Sequence, residues 1–395
     1  MIRSNERKRK YRLPLFCLVT GLFWFSMYTY VPILTSYIES LGASHKMAGT
    51  IVGSYGFVQM ILRIPLGILS DRIHKKKIFI TIGLFFAALS SLGLLLSNNL
   101  SLILIFRALT GVAAATWVDF TILFSSYYKK EETTKAMGTI SFFNSLGQMS
   151  AMYMGGILAD KVGYTSTFAL GTIVGVVGIV LSFFLIETHE KDAQRITIKG
   201  LTEVITDKNL IYICLIAVLS QLLTYATTYG FTPVFADINL HISKYQMGTL
   251  TLLSSLPTAI ASIVGGRYYA RKYGERKVII CGFILVGIFT AVIPFVKHFW
   301  LLLLTQMFVG FGRGLSFTML LGLSIKDMHL NKRSTAMGFF QAIYGLGMFL
   351  GPVIMGLIGD FISLDQGFMV LGIIGLLTGL LSYLCIKEST AKINT

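Results

Sequence analysis

Charge is scarce in this chain. Only 13% of its 395 residues are Asp, Glu, Lys or Arg, against 54% hydrophobic, a balance that excludes a water-soluble globular particle. Cysteine is rare too. The four present, Cys17, Cys214, Cys281 and Cys385, are dispersed through different apolar segments, at spacings that offer neither a disulfide framework nor a metal site. All six histidines fall in predicted loops or helix ends, which excludes a buried histidine proton relay. A membrane-embedded transferase would need a nucleophile, a metal cluster or an acid and base pair at one membrane face. None is visible, so neither an enzyme nor a cofactor is expected, and no soluble signalling segment is attached that would suit a sensor.

What the chain has instead is long apolar runs. Segments of about 20 residues, enough to cross a hydrocarbon core about 30 Å thick, recur twelve times, near 13–38, 47–69, 78–97, 101–127, 137–158, 165–186, 210–236, 247–266, 277–296, 299–324, 336–358 and 366–386. The net charge of +16 would suggest nucleic acid in a soluble protein, but its placement marks topology. Apart from Lys46, Lys161, Lys244 and Lys297 on one side, and Arg63, Arg107 and Arg313 within spans, Lys and Arg lie in the two tails and the loops on the tails' side. By the positive-inside rule both termini are cytoplasmic. The leading run Arg7-Lys8-Arg9-Lys10-Tyr11-Arg12 precedes an apolar stretch too long for a signal peptide, with no small-residue cleavage site. It reads as the flank of an uncleaved first helix, orienting it or touching lipid headgroups.

The chain repeats itself at about half its length. Ala136-Met137-Gly138 matches Ala336-Met337-Gly338, and the register continues through Leu146-Gly147 with Leu346-Gly347, Gly156 with Gly356, and Asp160 with Asp360. One residue out of register, Ser44 and Gly49-Thr50 match Ser243 and Gly248-Thr249. Segments 1–6 therefore correspond to segments 7–12. An even number of crossings per copy gives parallel repeats, with a substrate path expected between them. The predicted organisation is a six-helix bundle over 1–186, a cytoplasmic linker over 187–209, and a second six-helix bundle over 210–395.

Segment 2 ends in Gly67-Ile68-Leu69-Ser70-Asp71-Arg72-Ile73-His74-Lys75-Lys76-Lys77, a small residue, then an acid, then a basic run. It resembles the G-x-x-x-D-R-x-G-R-K signature of the major facilitator superfamily, with His74 at the turn glycine and Lys75 at an arginine. Arg107-Ala108-Leu109-Thr110-Gly111 on segment 4 is similar to that family's R-x-x-x-G pattern. The resemblance implies an all-α membrane fold of two pseudo-symmetric six-helix bundles and transport by alternating access. It also implies that Asp71 faces the start of helix 11, near Ala336, and that Gly67, Asp71, Arg72, Lys75 and Lys76, with Arg63 nearby, form a gate on the cytoplasmic side. The second copy keeps Arg271, Arg276 and Lys277 but has Ala270 in place of the acid.

A charge within a span is costly and faces protein or water. Asp119, the one acid placed within a span, lies about 18 Å along the helix from Arg107 and cannot reach it. It is either a proton-coupling group or the static partner of Arg63 or Arg313. In the resembled family helices 1, 4, 7 and 10 line the cavity, which puts Arg107 and Arg313 there with Trp24, Tyr28, Trp117, Gln221, Tyr225 and Tyr229. The last three are spaced by four and share a helix face. On segment 5, Gly147, Gly155 and Gly156 have the spacing of the family's antiporter-associated motif, but its Gly-Pro appears only in the other copy, as Gly351-Pro352. Both are equally readable as packing faces. The expected protein is a monomeric transporter in the cell membrane. It exchanges a small organic solute for protons, or takes up an organic anion, with lipids and solute as its partners and no nucleic acid.

Overall fold

The computed structural model describes residues 2–128, 132–188, 204–326, 328 and 332–386, with only the backbone described for residues 2–11, Asp71, Thr133, Thr134, Arg267 and Ser334. All regular structure among the described residues is helical. Eleven helices are long and apolar enough to cross a membrane. The more polar Thr133–Lys161, 29 residues long and carrying Asn144 and Gln148, completes the twelve.

The first bundle contains α1 (Ile2–Tyr28 continued by Val31–Ser40), α2 (His45–Ile73), α3 (Lys76–Leu96), α4 (Leu100–Ala115 continued by Trp117–Ser125), α5 (Thr133–Lys161) and α6 (Tyr164–Ser182). In the second, α7 is Lys208–Ala226, a π-helical turn Thr227–Phe231, and Thr232–Leu240. There follow α8 (Lys244–Val264, then the π-helical turn Gly265–Tyr269 and Ala270–Tyr273), α9 (Glu275–Ala291), α10 (Phe299–Lys326), α11 (Arg333–Phe361) and α12 (Leu364–Cys385). An even number of crossings returns both described ends to one face, called here the terminus face. The opposite one is the far face.

Packing follows the repeat. α1 packs on α5 and α6, α2 on α4, and α3 on α4 and α6, while α7 packs on α11 and α12, α8 on α10, and α9 on α10 and α12. These are the same pairs displaced by six helices. The bundles meet through two symmetry-related seams, α2 against α11 and α5 against α8. Glycine makes both seams possible, because lipid gives no hydrophobic drive between helices and close backbone approach must supply the contact. A Cβ on Gly53 would stand 2.7 Å from the Phe349 carbonyl oxygen, and one on Gly156 2.8 Å from the Gly248 Cα. The helix 5 glycines are thus packing surface: Gly147 abuts Gly21 and Gly155 abuts Thr29, both on α1.

Helix ends are set by recognisable caps. Ser44 accepts from the Met47 N–H to start α2, and its repeat mate Ser243 forms a full capping box with Gln246 to start α8. α2 ends on His74, which adopts the left-handed conformation (φ 59°) and returns its N–H to the Ser70 carbonyl. The residue 200 positions on, Gly274, also has positive φ, 85°. The turn the motif assigns to glycine therefore forms on a histidine, at a backbone cost of about 1 kcal/mol. Of the linker predicted over 187–209, residues 189–203 lie outside the described residues.

Candidate functional site

The predicted aromatic residues form a continuous wall that crosses from one bundle to the other. Trp24 packs edge-on to Trp117 (ring centroids 5.2 Å apart) and against Tyr28 (5.7 Å), and Trp117 stacks on Phe120. Tyr28 meets Tyr229 of the second bundle at 6.2 Å, Tyr229 meets Tyr225 at 5.2 Å, and Tyr225 stacks on Tyr55 of the first bundle at 6.0 Å. Trp24, Tyr28, Tyr55 and Tyr225 are buried and Trp117 and Tyr229 half-buried. Gln221, one turn before Tyr225, is half-buried. Tyr55 and Tyr344 were missed from sequence. A single tyrosine on an apolar helix carries no signal until its neighbours across the seam are known.

Three arginines stand along this wall. Arg107, 4% exposed, lies over the rings of Tyr30 (5.6 Å) and Tyr55 (5.0 Å), and its Nε–H is buried without a partner. Arg313 lies over Tyr229 at 5.5 Å, donates from Nη2 to Thr258 at 3.0 Å, and has an unpartnered buried Nη1. Arg63, 3% exposed, donates from Nη1 to Gln341 (2.8 Å) and Tyr344 (3.4 Å) across the seam, and from Nη2 to the Ala114 carbonyl (3.2 Å). That carbonyl sits where α4 breaks at Thr116. Arg63 therefore ties α2, α4 and α11 together through neutral acceptors. Among the described residues none of the three arginines has a carboxylate within ion-pair reach. An aromatic face repays part of the desolvation of a buried guanidinium, about 2 kcal/mol when desolvated, and arginine cannot shed its proton.

Asp119 sits apart from this wall, so the pairing with Arg63 or Arg313 expected as one alternative does not form. Its position late in α4 carries it toward the terminus face. There Ser70, at the end of α2, donates to Asp119, and Lys76, at the start of α3, approaches the same carboxylate at 3.4 Å and donates to the Ser70 hydroxyl at 2.7 Å. Asp119 is 1% exposed and the Lys76 side chain 11%. Of the other gate residues, Gly67 is buried while Arg72 and Lys75 are exposed. The side chain of Asp71, and with it the expected contact to α11, lies outside the described residues. Glu187, at the root of the linker, caps α3 by accepting the N–H groups of Lys76 and Lys77, each at 2.9 Å.

At the far face the repeat-matched acids Asp160 and Asp360 bind helix starts in the opposite bundle. Asp360, near the end of α11, accepts from the backbone N–H of His45 (2.8 Å) and of Lys46 (2.9 Å) at the start of α2. Asp160, near the end of α5, accepts from that of Lys244 (3.1 Å) at the start of α8. A carboxylate on a helix N-terminus meets free N–H donors and the positive end of the dipole.

The sequence matches the family model described as Major Facilitator Superfamily over residues 16–238 and 217–394, which together span most of the chain. The chain belongs to the Major Facilitator Superfamily. It is 28% identical over 356 residues to the inner membrane transport protein YajR of Escherichia coli, covering 87% of this chain and 76% of that one. It is 24% identical over 341 residues to a class B tetracycline resistance protein of Escherichia coli, covering 83% of each. A bacterial homolog of the human lysosomal transporter Spinster, solved in an inward-facing and unoccupied conformation, superimposes with a TM-score of 0.80 at 13% identity, over 95% of this chain and 96% of that one. This major facilitator protein is accordingly a multi-pass membrane transporter of small molecules.

Proposed function

We propose that this transporter exports a small organic solute carrying negative charge across the cell membrane, by alternating access and in exchange for protons. The observation that carries the reading is the set of three arginines along the seam, Arg63 and Arg107 buried and Arg313 half-buried, with no carboxylate of the described residues to balance them. An unbalanced buried cation is expensive, and an anionic group entering the seam supplies the missing charge. The aromatic wall gives such a solute a flat face to lie on, and the buried Trp24 indole N–H, unpartnered as it stands, gives it a further donor.

The two faces support the direction and the coupling in different ways. With the basic tails and loops on the cytoplasmic side, the Asp160 and Asp360 caps brace the extracellular side, which supports reading this conformation as inward-facing. Asp119 is the coupling candidate, acting at the cytoplasmic gate rather than in the solute path. Protonation of Asp119 removes the charge that attracts Lys76 and loosens the junction of α2, α3 and α4. The export direction draws support from the tetracycline resistance relative.

The test is flux in reconstituted vesicles with an imposed pH gradient, comparing anionic solutes with neutral ones of the same size. Flux of anions that follows the gradient, is lost in Arg107→Gln and Arg313→Gln, and becomes insensitive to the gradient in Asp119→Asn supports the reading. Equal flux of neutral and anionic solutes, or flux indifferent to both arginines, overturns the charge assignment. Flux of anions indifferent to the gradient leaves facilitated passage and overturns the coupling.

A further inference from the structure

A second site lies away from the seam, on the outside of the first bundle. α3 and α6 pack on each other and on α1, α4 and α5 of their own bundle, so their outer faces look into lipid. At their terminus-face ends they leave a groove of about 500 Å³, lined by Ile78, Ile82 and Phe183 with Thr81 between them, and by Lys75, Lys77 and Glu187 at its mouth. Ile78 is 44% and Phe183 62% exposed. An apolar trough open to lipid and capped by ammonium groups at headgroup level has the polarity of a phospholipid, tail inward and phosphate at the mouth.

The charges at the mouth are not spent on one another. Glu187 has both carboxylate oxygens engaged by the N–H groups of Lys76 and Lys77. Lys77 uses one ammonium proton on the Phe183 carbonyl, at 2.6 Å, and retains two. Lys75 is exposed, and no carboxylate of the described residues lies within ion-pair reach of it.

The second bundle provides an internal control, because the charges at the same place there are engaged. Two hundred residues on, Glu275 stands at the position of Lys75 and is bound to Lys326 at 2.6 Å. Tyr383 stands at the position of Phe183, and Arg276 lies over its ring at 4.7 Å. The mouth there carries a salt bridge, and the aromatic wall is covered by a cation. The groove with a free ammonium at its mouth belongs to the first bundle.

We infer that the α3/α6 groove is a binding site for an anionic glycerophospholipid, its phosphate held between Lys75 and Lys77 and one acyl chain lying along Ile78, Ile82 and Phe183. The inference is independent of the transported solute. A lysine at an anionic headgroup contributes about a fivefold preference, so the site favours anionic over zwitterionic lipid by more than tenfold.

The experiment is native mass spectrometry of the full-length protein, released from nanodiscs containing equal phosphatidylglycerol and phosphatidylcholine, with lipid adducts counted. The wild type should retain phosphatidylglycerol preferentially. Lys75→Glu, which installs the second bundle's residue, should reduce that preference by at least fivefold. Ile82→Trp, which fills the groove and leaves both lysines, should reduce it as well. A wild type that retains the two lipids equally overturns the site. Preference lost in Lys75→Glu but intact in Ile82→Trp overturns it too, because the lysines would then be acting as diffuse surface charge. Unchanged melting midpoints keep either loss from being a folding defect.

Discussion

Removing the Asp360 cap should open the far face. Asp360→Asn deletes the charge at the α2 N-terminus and leaves one acceptor oxygen where two served the His45 and Lys46 N–H groups, at 2.8 and 2.9 Å. The site is exposed, so the charge is screened and the helix-terminus contribution belongs at the low end, 0.3–1 kcal/mol. With the lost bond the total is about 1 kcal/mol, roughly a fivefold change in the ratio of far-face-closed to far-face-open molecules. Asp160→Asn removes a single bond of 3.1 Å to Lys244 and should shift the ratio about half as far in free energy. The two caps are on separate seams and should add. A cysteine at Thr251, 2% exposed in α8 below the Asp160 cap, reports the opening through its alkylation rate by a membrane-impermeant maleimide added at the far face, with Cys17, Cys214, Cys281 and Cys385 replaced by serine. The rate should rise about fivefold in Asp360→Asn, about twofold in Asp160→Asn, and about tenfold in the double variant. A double variant that alkylates at the wild-type rate would refute the assignment of these acids as latches.

Arg63→Ala removes three hydrogen bonds from a 3% exposed cation and leaves Gln341 and the Ala114 carbonyl unsatisfied, which should cost about 3 kcal/mol and appear as a fall of several degrees in melting midpoint; Gln341→Ala should cost less. Lys76→Met leaves the buried Asp119 carboxylate short of a positive neighbour and should cost a similar 3 kcal/mol, with part of the loss recovered in Lys76→Met/Asp119→Leu. His74→Gly relieves a left-handed histidine and should stabilise the fold by about 1 kcal/mol, seen as a higher melting midpoint, whereas Gly274→His should lower it.

Much of this architecture is legible in the sequence because the membrane simplifies the code. Apolar length gives the spans, and the repeat pairs Asp160 with Asp360 before any contact between bundles is known. The latch role of those acids is not legible, since it depends on which helix start each one meets across a seam. The same limit explains Asp119. Helical arithmetic excludes Arg107 as its partner, but the nearness of Ser70 and Lys76 follows from how α2, α3 and α4 converge, and pattern says nothing of that. The π-helical turn in α7 is equally silent in sequence, yet Tyr225 and Tyr229 still meet across it. The glycines of α5 had two readings, directional motif and packing face. Their contacts with Gly21, Thr29 and Gly248 account for them as packing.

The central claim is that the bundles rock about the seam, so that one face closes as the other opens. Pulsed electron paramagnetic resonance tests it with two spin-label pairs, Val162 with Trp300 at the far face and Arg72 with Tyr273 at the terminus face, all four exposed and each pair spanning the two bundles. In the otherwise native protein each pair should show one dominant distance. In the Asp160→Asn/Asp360→Asn background a second population should emerge in which the far-face distance is longer and the terminus-face distance shorter, in equal proportion. A far-face distance that lengthens while the terminus-face distance stays fixed, or lengthens with it, would contradict alternating access and leave only local fraying of the far face.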